Sequence, residues 1–385
     1  MVTFTIKQFK SILNVYKYID SWFWAKYSVN GYNGCQFGCI YCDSRSAKYH
    51  LPADFENDII VKDQPGAMLD QRLAHARTLR PDVVAMSGAN DPYQPAEKKF
   101  ENTLACAKVL AKHRYPVHIC TKSPLVLRDV NVYQQIARDT WCAISVTITT
   151  QDTDVARFLE PRAPTPQQRL DTIRSIKQQA PEINSGVLLM PIIPELTDAV
   201  AQLDQLVAAA KDVGADYVIF SPGLTMRDVQ ADWFLKHLMR HYPNLMPRFE
   251  QLYKFDHRNP AYHGQYNPTG DYLLRISEQM LDICASHKMP YRIKRFLPRD
   301  ERRLNYQIAE ILLNKAYELQ IQGKSWQDMH WAGIHLHEMK QSVDTLYAMG
   351  ELNSLRNVTP IVEKEIVEVL GRIVKKTVID EYKIR

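Results

Sequence analysis

The chain has 385 residues, of which 45% are apolar and 24% are charged, a balance typical of a folded protein rather than a disordered one. Its net charge of +5 comes from 48 basic and 43 acidic residues, which by itself does not indicate a polyanion-binding protein. The longest apolar run, at residues 187–193, is far shorter than the ~20 residues of a membrane-spanning helix, and lysines at positions 7 and 10 argue against a secretory signal. We therefore expect a cytoplasmic protein with no membrane partner.

Six short runs rich in β-branched residues predict the strands of one sheet, at residues 26–30, 83–87, 117–121, 143–148, 186–193 and 217–221. Segments with apolar spacings of three and four lie between them, at 68–79, 98–113, 166–179 and 198–213, and are typical of helices. This alternation indicates βαβ units and a parallel sheet. Six repeats are too few for a closed eight-stranded barrel, so we predict an α/β fold built on a partial (β/α)6 barrel.

The pattern becomes helical beyond about residue 225, with helices predicted at 233–241 and 272–287 and a last strand at 291–296. From residue 302 onward nearly all of the chain has helical spacing, including 305–322 and 360–376. We therefore expect an N-terminal lead and cover at 1–25, a core at 26–300, and a helical C-terminal extension at 301–385.

Three of the seven cysteines, Cys35, Cys39 and Cys42, lie within eight positions just after the first predicted strand. Such crowding in a large chain does not fit a secreted disulfide framework. Soft sulfur ligands select iron-sulfur clusters, zinc or cuprous copper. Because three thiolates leave one iron of a four-iron cluster without a protein ligand, that iron is available to a substrate atom.

A structural zinc ion is the alternative for the same cysteines, and such sites normally close with four protein ligands. His50 or Asp43 would then supply the fourth ligand, and the chain would be a zinc-stabilised nucleic-acid binding protein without catalysis. The other cysteines lie in helix or strand patterns, where a buried cysteine usually packs as a small apolar residue: Cys106, Cys120, Cys142 and Cys284.

The pattern Cys35-x-x-x-Cys39-x-Tyr41-Cys42 after a first strand resembles the signature of the radical S-adenosylmethionine superfamily. Segments 87–95, 121–123, 125–129, 159–164 and 191–194 resemble the branch related to spore photoproduct lyase, a DNA repair photolyase-like group, and the resemblance spans roughly residues 8–300. It implies a partial barrel of the radical SAM type and a [4Fe-4S] cluster held by the three cysteines. It also implies reductive cleavage of S-adenosylmethionine to a 5′-deoxyadenosyl radical, which abstracts hydrogen from an unidentified substrate.

The resemblance further implies a reducing electron donor, such as flavodoxin or ferredoxin. It places Ser87, Asn90 and Asp91 at the end of the second strand, where relatives present polar groups to the methionine amino group. An ammonium needs acceptors there. Asp91 is equally suited to cap the turn before Pro92.

Three further residues have cofactor roles by the same resemblance. Lys122, directly after the third strand, would pair with the cofactor carboxylate, and Ser145 on the fourth strand would contact ribose or carboxylate. Tyr41 would lie beside the adenine while holding the loop. The alternatives are that Tyr41 is a packing aromatic and that Ser145 fills space inside the barrel. Arg162 would either contact the cofactor or hold the following helix.

The substrate is the least defined part of the prediction. In the lyase, a cysteine hydrogen donor precedes the serine and aspartate of the second-strand motif, but residues 86–91 contain no cysteine. We therefore assign no catalytic hydrogen donor. DNA lesion repair remains an alternative, since the stretch 287–303 combines seven Lys or Arg residues with Tyr291 and Phe296, which suits either nucleic acid or a solvated surface.

Overall fold

The computed structural model describes residues 1–86, 88–259 and 261–383, with only the backbone described from 374 onward. The chain divides into two compact units. The first comprises Met1–Tyr16 and Ala25–Lys294, and the second comprises Lys17–Trp24 and Arg295–Arg385. The segment expected as an N-terminal lead is thus divided between the units, and the first unit ends close to the expected boundary at 300.

The described residues form ten strands. They are β1 (Thr3–Lys7), β2 (Leu13–Val15), β3 (Tyr27–Val29), β4 (Tyr32–Asn33), β5 (Asp58–Lys62), β6 (Val84–Met86), β7 (Val117–Thr121), β8 (Cys142–Thr147), β9 (Asn184–Ile192) and β10 (Val218–Pro222). The helices of the first unit are α1 (Pro65–Ala74), α2 (Glu97–Phe100), α3 (Asn102–Lys112), α4 (Val130–Asp139), α5 (Thr153–Leu159), α6 (Pro166–Gln179), α7 (Val200–Asp212), α8 (Asp228–His241), α9 (Met246–Tyr253) and α10 (Gly270–Ser286). Those of the second are α11 (Arg303–Ile321), α12 (Gln327–Glu338), α13 (Val343–Ala348) and α14 (Pro360–Lys383).

Six parallel strands form the main sheet, in the order β10-β9-β8-β7-β6-β3, and β2 pairs antiparallel with β3 at the edge. Helical chain lies between each pair of consecutive parallel strands, from β3 to β10. The predicted α/β fold with a (β/α)6 core and a helical C-terminal part is therefore confirmed. Because these strands are parallel, their carboxyl ends all lie on the same side of the sheet, where functional side chains gather in such folds.

Two local predictions differ from the structure. A small second sheet, β1-β5-β4, was not expected, and its apolar contacts involve Tyr32, Ile59 and Val61. The strand predicted at 291–296 is wrong. Its backbone groups find other partners, since the Lys294 carbonyl accepts from the Trp141 indole at 3.1 Å.

Alternating side chains give each barrel strand two different surroundings. Val117 and Ile119 of β7 pack against the outer helices, in one cluster with Cys106 and Cys142. His118, by contrast, contacts Ser145 of the neighbouring strand β8. The two cysteines are buried in that apolar cluster, as predicted.

The second unit is a helical cluster with its own core. Leu312 of α11, Leu336 of α12 and Ile366 of α14 are buried together. The aromatic segment before Ala25 packs on these helices, with the rings of Trp22 and Tyr317 5.6 Å apart in an edge-on arrangement. Across both units, none of the helices in the described residues is long and apolar enough to cross a membrane.

Gly186 of β9 lies so close to Tyr217 that a residue with a Cβ atom would clash there. A Cβ atom there would lie 2.4 Å from the Tyr217 carbonyl oxygen and 2.6 Å from the Tyr217 ring. We expect Gly186→Ala to destabilise the protein by about 1–3 kcal/mol, because the crowded ring must shift. The free energy of unfolding from urea titration measures the effect.

Gly270 provides the matched control, because a Cβ atom there meets nothing within 4 Å and the residue starts α10. Gly270→Ala should leave stability unchanged or raise it slightly. Equal losses in the two variants would contradict the packing assigned to Gly186.

Candidate active site at the cysteine loop

The three cysteines lie on a tight loop that follows β4. The Cys35 amide donates to the Phe55 carbonyl at 3.0 Å, and the Cys42 amide donates to the Cys39 carbonyl at 3.3 Å. Gly34 has a φ of +84°, and a Cβ atom there would lie 2.8 Å from the Asp58 carbonyl oxygen. Glycine therefore lets the loop pass directly over the β5 backbone.

Arg45 fixes the loop from its outer side. Its side chain, only 6% exposed, donates to the carbonyls of Cys39 at 3.1 Å and Gly38 at 3.3 Å. It also pairs with Glu56 at 3.0 Å. Five donors on a rigid plane suit arginine to this combination of carbonyl and carboxylate acceptors.

Two of the three thiols are buried. Cys35 and Cys39 are each 7% exposed, and Cys42 is half-buried. Burial, with Glu160 and Cys42 nearby, raises the pKa of Cys39 to about 12 despite Lys122 and Arg169, and burial raises that of Cys35 further. Metal binding at these thiols must therefore release protons and supply the positive charge that stabilises the thiolates.

The two residues that could complete a zinc site are not placed as ligands beside the thiols. Four ligands about 2.3 Å from one zinc ion lie about 3.8 Å from each other. Among the described residues, the three sulfur atoms do not all fall within 4.8 Å of one another. The Asp43 carboxylate pairs with Arg227 and accepts from the Tyr49 hydroxyl at 2.7 Å, while His50 is exposed.

Beside the loop lies a buried group of three charges. The carboxylate of Glu160 contacts Arg169 at 2.5 Å and Lys122 at 3.7 Å, and both Glu160 and Arg169 side chains are 1% exposed. Burial alone would raise the pKa of Glu160, but Arg169 and Lys122 lower it, so the carboxylate stays ionised. Burial alone would lower the pKa of Lys122, but Cys39 and Glu160 raise it. Lys122 and Arg169 together offset the charge of Glu160, while the Asp91 carboxylate, which accepts from the Lys122 amide, adds a second buried acidic group to the same region.

Local sequence explains how Glu160 and Arg169 meet. Asp152 caps α5 by accepting from the amides of Asp154 and Val155, and Glu160 ends that helix. A capping box of Thr165 and Gln168 starts α6. Arg169 then falls on the buried face of α6, where its guanidinium reaches back to the end of α5.

Tyr41 connects the loop to this charged group. Its hydroxyl donates to the Glu160 carboxylate, and its carbonyl accepts from the Gln230 amide at 3.2 Å. The Lys122 ammonium lies 5.7 Å from the centre of its ring. Tyr41 thus orients the loop as well as the carboxylate, and its proposed contact with adenine stays a prediction.

The end of β6 presents a mixture of engaged and unengaged polar atoms. The Asp91 carboxylate accepts from the Thr121 hydroxyl at 2.6 Å and from the amides of Lys122 and Tyr93 at 2.7 and 2.9 Å, which ties β6 to β7. In contrast, the side-chain oxygens of Asn30 and Asn90 are buried without a hydrogen-bond partner among the described residues. Ser87 lies outside the described residues.

Ser145 is placed inside the barrel. Its hydroxyl lies 2.7 Å from His118 Nε2 and 2.7 Å from the Tyr217 hydroxyl, and it is fully buried. Cys120 Sγ lies 3.6 Å from the same His118 nitrogen. These four side chains form one polar network within the sheet interior.

Several other predicted residues are held elsewhere. Arg162 is exposed and donates to Asn57 at 2.8 Å and to the Glu56 carbonyl at 3.3 Å, so it holds the loop before β5. In the basic stretch 287–303, Arg295 and Arg302 are buried, and Arg302 forms a two-pronged ion pair with Asp300. Two of its seven cations are therefore part of the fold of the second unit.

Sequence reasoning did not assign Glu160 or Arg169. Glu160 was noted only as a member of the motif 159–164. The functional role within that motif was assigned to Arg162, which is more exposed. The available signal was helical spacing, because Arg169 shares the buried face of α6 with Pro166, Leu170 and Ile173. A charged residue on an apolar face requires a buried partner.

The radical SAM superfamily model matches residues 29–207 of this chain. An uncharacterized protein of Mycobacterium tuberculosis is 31% identical over 268 residues, which cover 69% of this chain and 75% of that protein. An uncharacterized protein of Methanocaldococcus jannaschii is 29% identical over 175 residues, covering 45% of this chain and 63% of that protein. The chain belongs to the radical SAM superfamily.

Solved structures of spore photoproduct lyase share the fold. One variant aligns with a TM-score of 0.54 at 12% identity, over 74% of this chain and 79% of its own. The lyase complexed with dinucleoside spore photoproduct aligns with a TM-score of 0.53 at 12% identity, over the same shares. At this identity the likeness concerns the fold, and the predicted barrel of the radical SAM type is confirmed.

The buried ion pair makes a stability prediction. We expect Arg169→Leu to lower the free energy of unfolding by about 3–5 kcal/mol, because it removes the closest charged partner of a buried carboxylate. Urea denaturation of the protein before cluster assembly, under anaerobic reducing conditions, measures this loss.

The exposed Arg162 is the matched control, and Arg162→Leu should lower the free energy of unfolding by less than about 1 kcal/mol. Comparable losses in both variants would show that the Glu160 carboxylate does not depend on Arg169.

Proposed function

We propose that this protein is a radical SAM enzyme that reductively cleaves S-adenosylmethionine at a [4Fe-4S] cluster and abstracts hydrogen from a substrate. The observation that carries the proposal is the placement of three thiols on one loop beside the buried ion-pair group of Lys122, Glu160 and Arg169. Family membership supports the enzyme class.

The thiols of Cys35, Cys39 and Cys42 would hold the cluster, with one iron left for the cofactor. When bound together, the cluster and S-adenosylmethionine supply a 5′-deoxyadenosyl radical. The protein contributes a largely buried site, the Arg45 contacts that hold the loop, and the cations Lys122 and Arg169, which lower the pKa of Cys39.

The oxygens of Asn30 and Asn90 and the ammonium of Lys122 suit the amino group and the carboxylate, respectively, of the methionine part of the cofactor. The unpaired oxygens of Asn30 and Asn90, at the ends of neighbouring strands β3 and β6, would accept from its ammonium. Lys122 would donate to its carboxylate, since its 3.7 Å distance from Glu160 leaves ammonium protons available. Asp91 would position Lys122 through the backbone amide.

The remaining predicted contacts complete the proposed cofactor site. Tyr41 would flank the adenine, Ser87 would add a polar group at the end of β6, and Ser145 would face ribose or carboxylate from inside the barrel. The last role requires the Ser145 hydroxyl to exchange its contact with His118 or Tyr217 for the cofactor. A low-potential electron donor would reduce the cluster.

Cluster assembly should depend on the loop cysteines alone. We expect Cys39→Ala, reconstituted anaerobically with iron and sulfide, to lose most of its bound iron and all 5′-deoxyadenosine formation, because one iron has no ligand. Cys106→Ala, which alters a buried thiol in the apolar cluster, should keep both. Normal iron content and turnover in Cys39→Ala would contradict the assignment.

Lys122 should affect cofactor affinity rather than cluster content. We expect Lys122→Met to weaken S-adenosylmethionine binding by about 2 kcal/mol, or roughly 30-fold in Kd, because a charge-assisted hydrogen bond is removed. Equilibrium dialysis of the reconstituted protein measures the affinity, and iron analysis should show an intact cluster. Lys98→Ala, at an exposed position, is the control, and an unchanged Kd for Lys122→Met would remove Lys122 from the site.

A further inference from the structure

The side chain of Gln94 holds the chain on both sides of Cys35. Its Nε2 donates to the Gly34 carbonyl at 3.0 Å, and its Oε1 accepts from the Gln36 amide at 3.0 Å. One amide group thus bridges the two peptide groups that flank the cysteine. Gln94 is 0% exposed, so the loss of either bond would leave a buried polar group without a partner.

The other polar atoms of the same two peptide groups are also engaged. The Cys35 amide donates to the Phe55 carbonyl at 3.0 Å, and the Cys35 carbonyl accepts from the Gly38 amide at 3.2 Å. All four groups are therefore hydrogen-bonded within the protein. Because these bonds fix the backbone on either side of Cys35, they also fix the direction of its thiol.

Gln94 belongs to a well-anchored segment, residues 91–97. The Tyr93 hydroxyl is buried and donates to the Asp129 carboxylate at 3.0 Å. The Glu97 amide donates to the Gln94 carbonyl at 2.8 Å. The side chain that holds the cysteine loop is therefore carried by chain that is itself held in place.

The thiol of Cys35 lies close to the same segment. Burial, with Asp91 and Cys39 nearby, raises the pKa of this thiol, whereas hydrogen bonds from the backbone amides of Phe37 and Asp91 lower it. Hydrogen bonds to a sulfur ligand also influence the reduction potential of an iron-sulfur cluster. The start of the segment thus contacts the sulfur, while Gln94 holds the backbone.

We infer that Gln94 is the positioning residue for the iron atom that Cys35 would bind. This inference rests on the proposed function, because it takes the loop cysteines to be the cluster ligands. Gln94 acts through the backbone of Cys35 and makes no contact with the cluster itself. Since Asp91 of the same segment holds the Lys122 amide, one segment orients both a cluster ligand and a proposed cofactor contact.

The contacts distinguish Gln94 from a residue that only fills the core. An apolar side chain of similar size would occupy the same space but leave the Gly34 carbonyl and the Gln36 amide unpaired. A second glutamine makes the reciprocal connection, because Gln36 Oε1 accepts from the Ala96 amide at 2.6 Å. Two side chains therefore join the cysteine loop to residues 91–97.

Iron release from the anaerobically reconstituted full chain measures how firmly the ligand is held. The probe is the iron chelator bathophenanthroline disulfonate. Gln94→Met should release iron at least about fivefold faster than the unaltered protein, because its side chain cannot hold either peptide group. The midpoint potential of its cluster, from a titration followed by electron paramagnetic resonance, should shift to more negative values as hydrogen bonds to the Cys35 sulfur weaken.

Gln94→Glu should rescue both measurements. In its protonated form, which burial favours, the introduced carboxyl can accept from the Gln36 amide and donate to the Gly34 carbonyl. Its rate of iron release should therefore stay within about twofold of that of the unaltered protein. A rate equal to that of Gln94→Met would contradict the role given to these two hydrogen bonds.

Asn305 is the matched control, because it bridges a turn of the second unit in the same way. Its Nδ2 donates to the Gln341 carbonyl at 2.9 Å, and its Oδ1 accepts from the Val343 amide at 2.8 Å. Asn305→Leu should lower the free energy of unfolding but leave iron release and midpoint potential unchanged. Equal changes in Asn305→Leu and Gln94→Met would reduce the effect to general stability and overturn the inference.

Unaltered iron release and midpoint potential in Gln94→Met would also overturn it. If Gln94→Met does not fold, Gln36→Ala takes its place, since that change removes only the bond to the Ala96 amide. Gln36→Ala should release iron about twofold faster, and an unchanged rate would refute the positioning role. Absence of a four-iron cluster from the unaltered protein is a separate result, which would overturn the proposed function and this inference together.

Discussion

The buried carboxylate of Glu160 is the contact on which the site depends. It joins Tyr41 of the cysteine loop, Lys122 at the end of β7 and Arg169 at the start of α6. A buried anion is unfavourable unless its partners are close and well oriented. Because each partner comes from a different element, satisfying Glu160 also fixes how these elements meet around Cys39.

The charge arrangement has a chemical consequence. Lys122 and Arg169 lower the pKa of Cys39 and so oppose the burial that otherwise favours the protonated thiol. The same lysine is oriented by Asp91, which accepts from its backbone amide while holding Thr121. Asp91, Thr121 and Lys122 therefore form one connected set of residues. This set ties the ends of β6 and β7 together and also places a cation near Cys39.

Much of this arrangement is predictable from the sequence because it follows local patterns. The βα alternation, the cysteine loop and the position of Lys122 after a strand each depend on short-range spacing. The small sheet is different, since β4 contains only Tyr32 and Asn33 and pairs with β5, about 25 residues later in the chain. The Glu160–Arg169 ion pair is not predictable from spacing either, because Glu160 ends α5 whereas Arg169 lies in α6, and the caps of the two helices bring them together.

The central claim is that the three cysteines leave one iron open for S-adenosylmethionine. Electron-nuclear double resonance on the reduced, reconstituted protein tests it most directly, with the methionine amino nitrogen and carboxylate oxygen of the cofactor isotopically labelled. We predict hyperfine coupling from both labels to the cluster spin, because both groups would bind the open iron. A reduced four-iron cluster that shows no coupling to either label in the presence of saturating cofactor would contradict it.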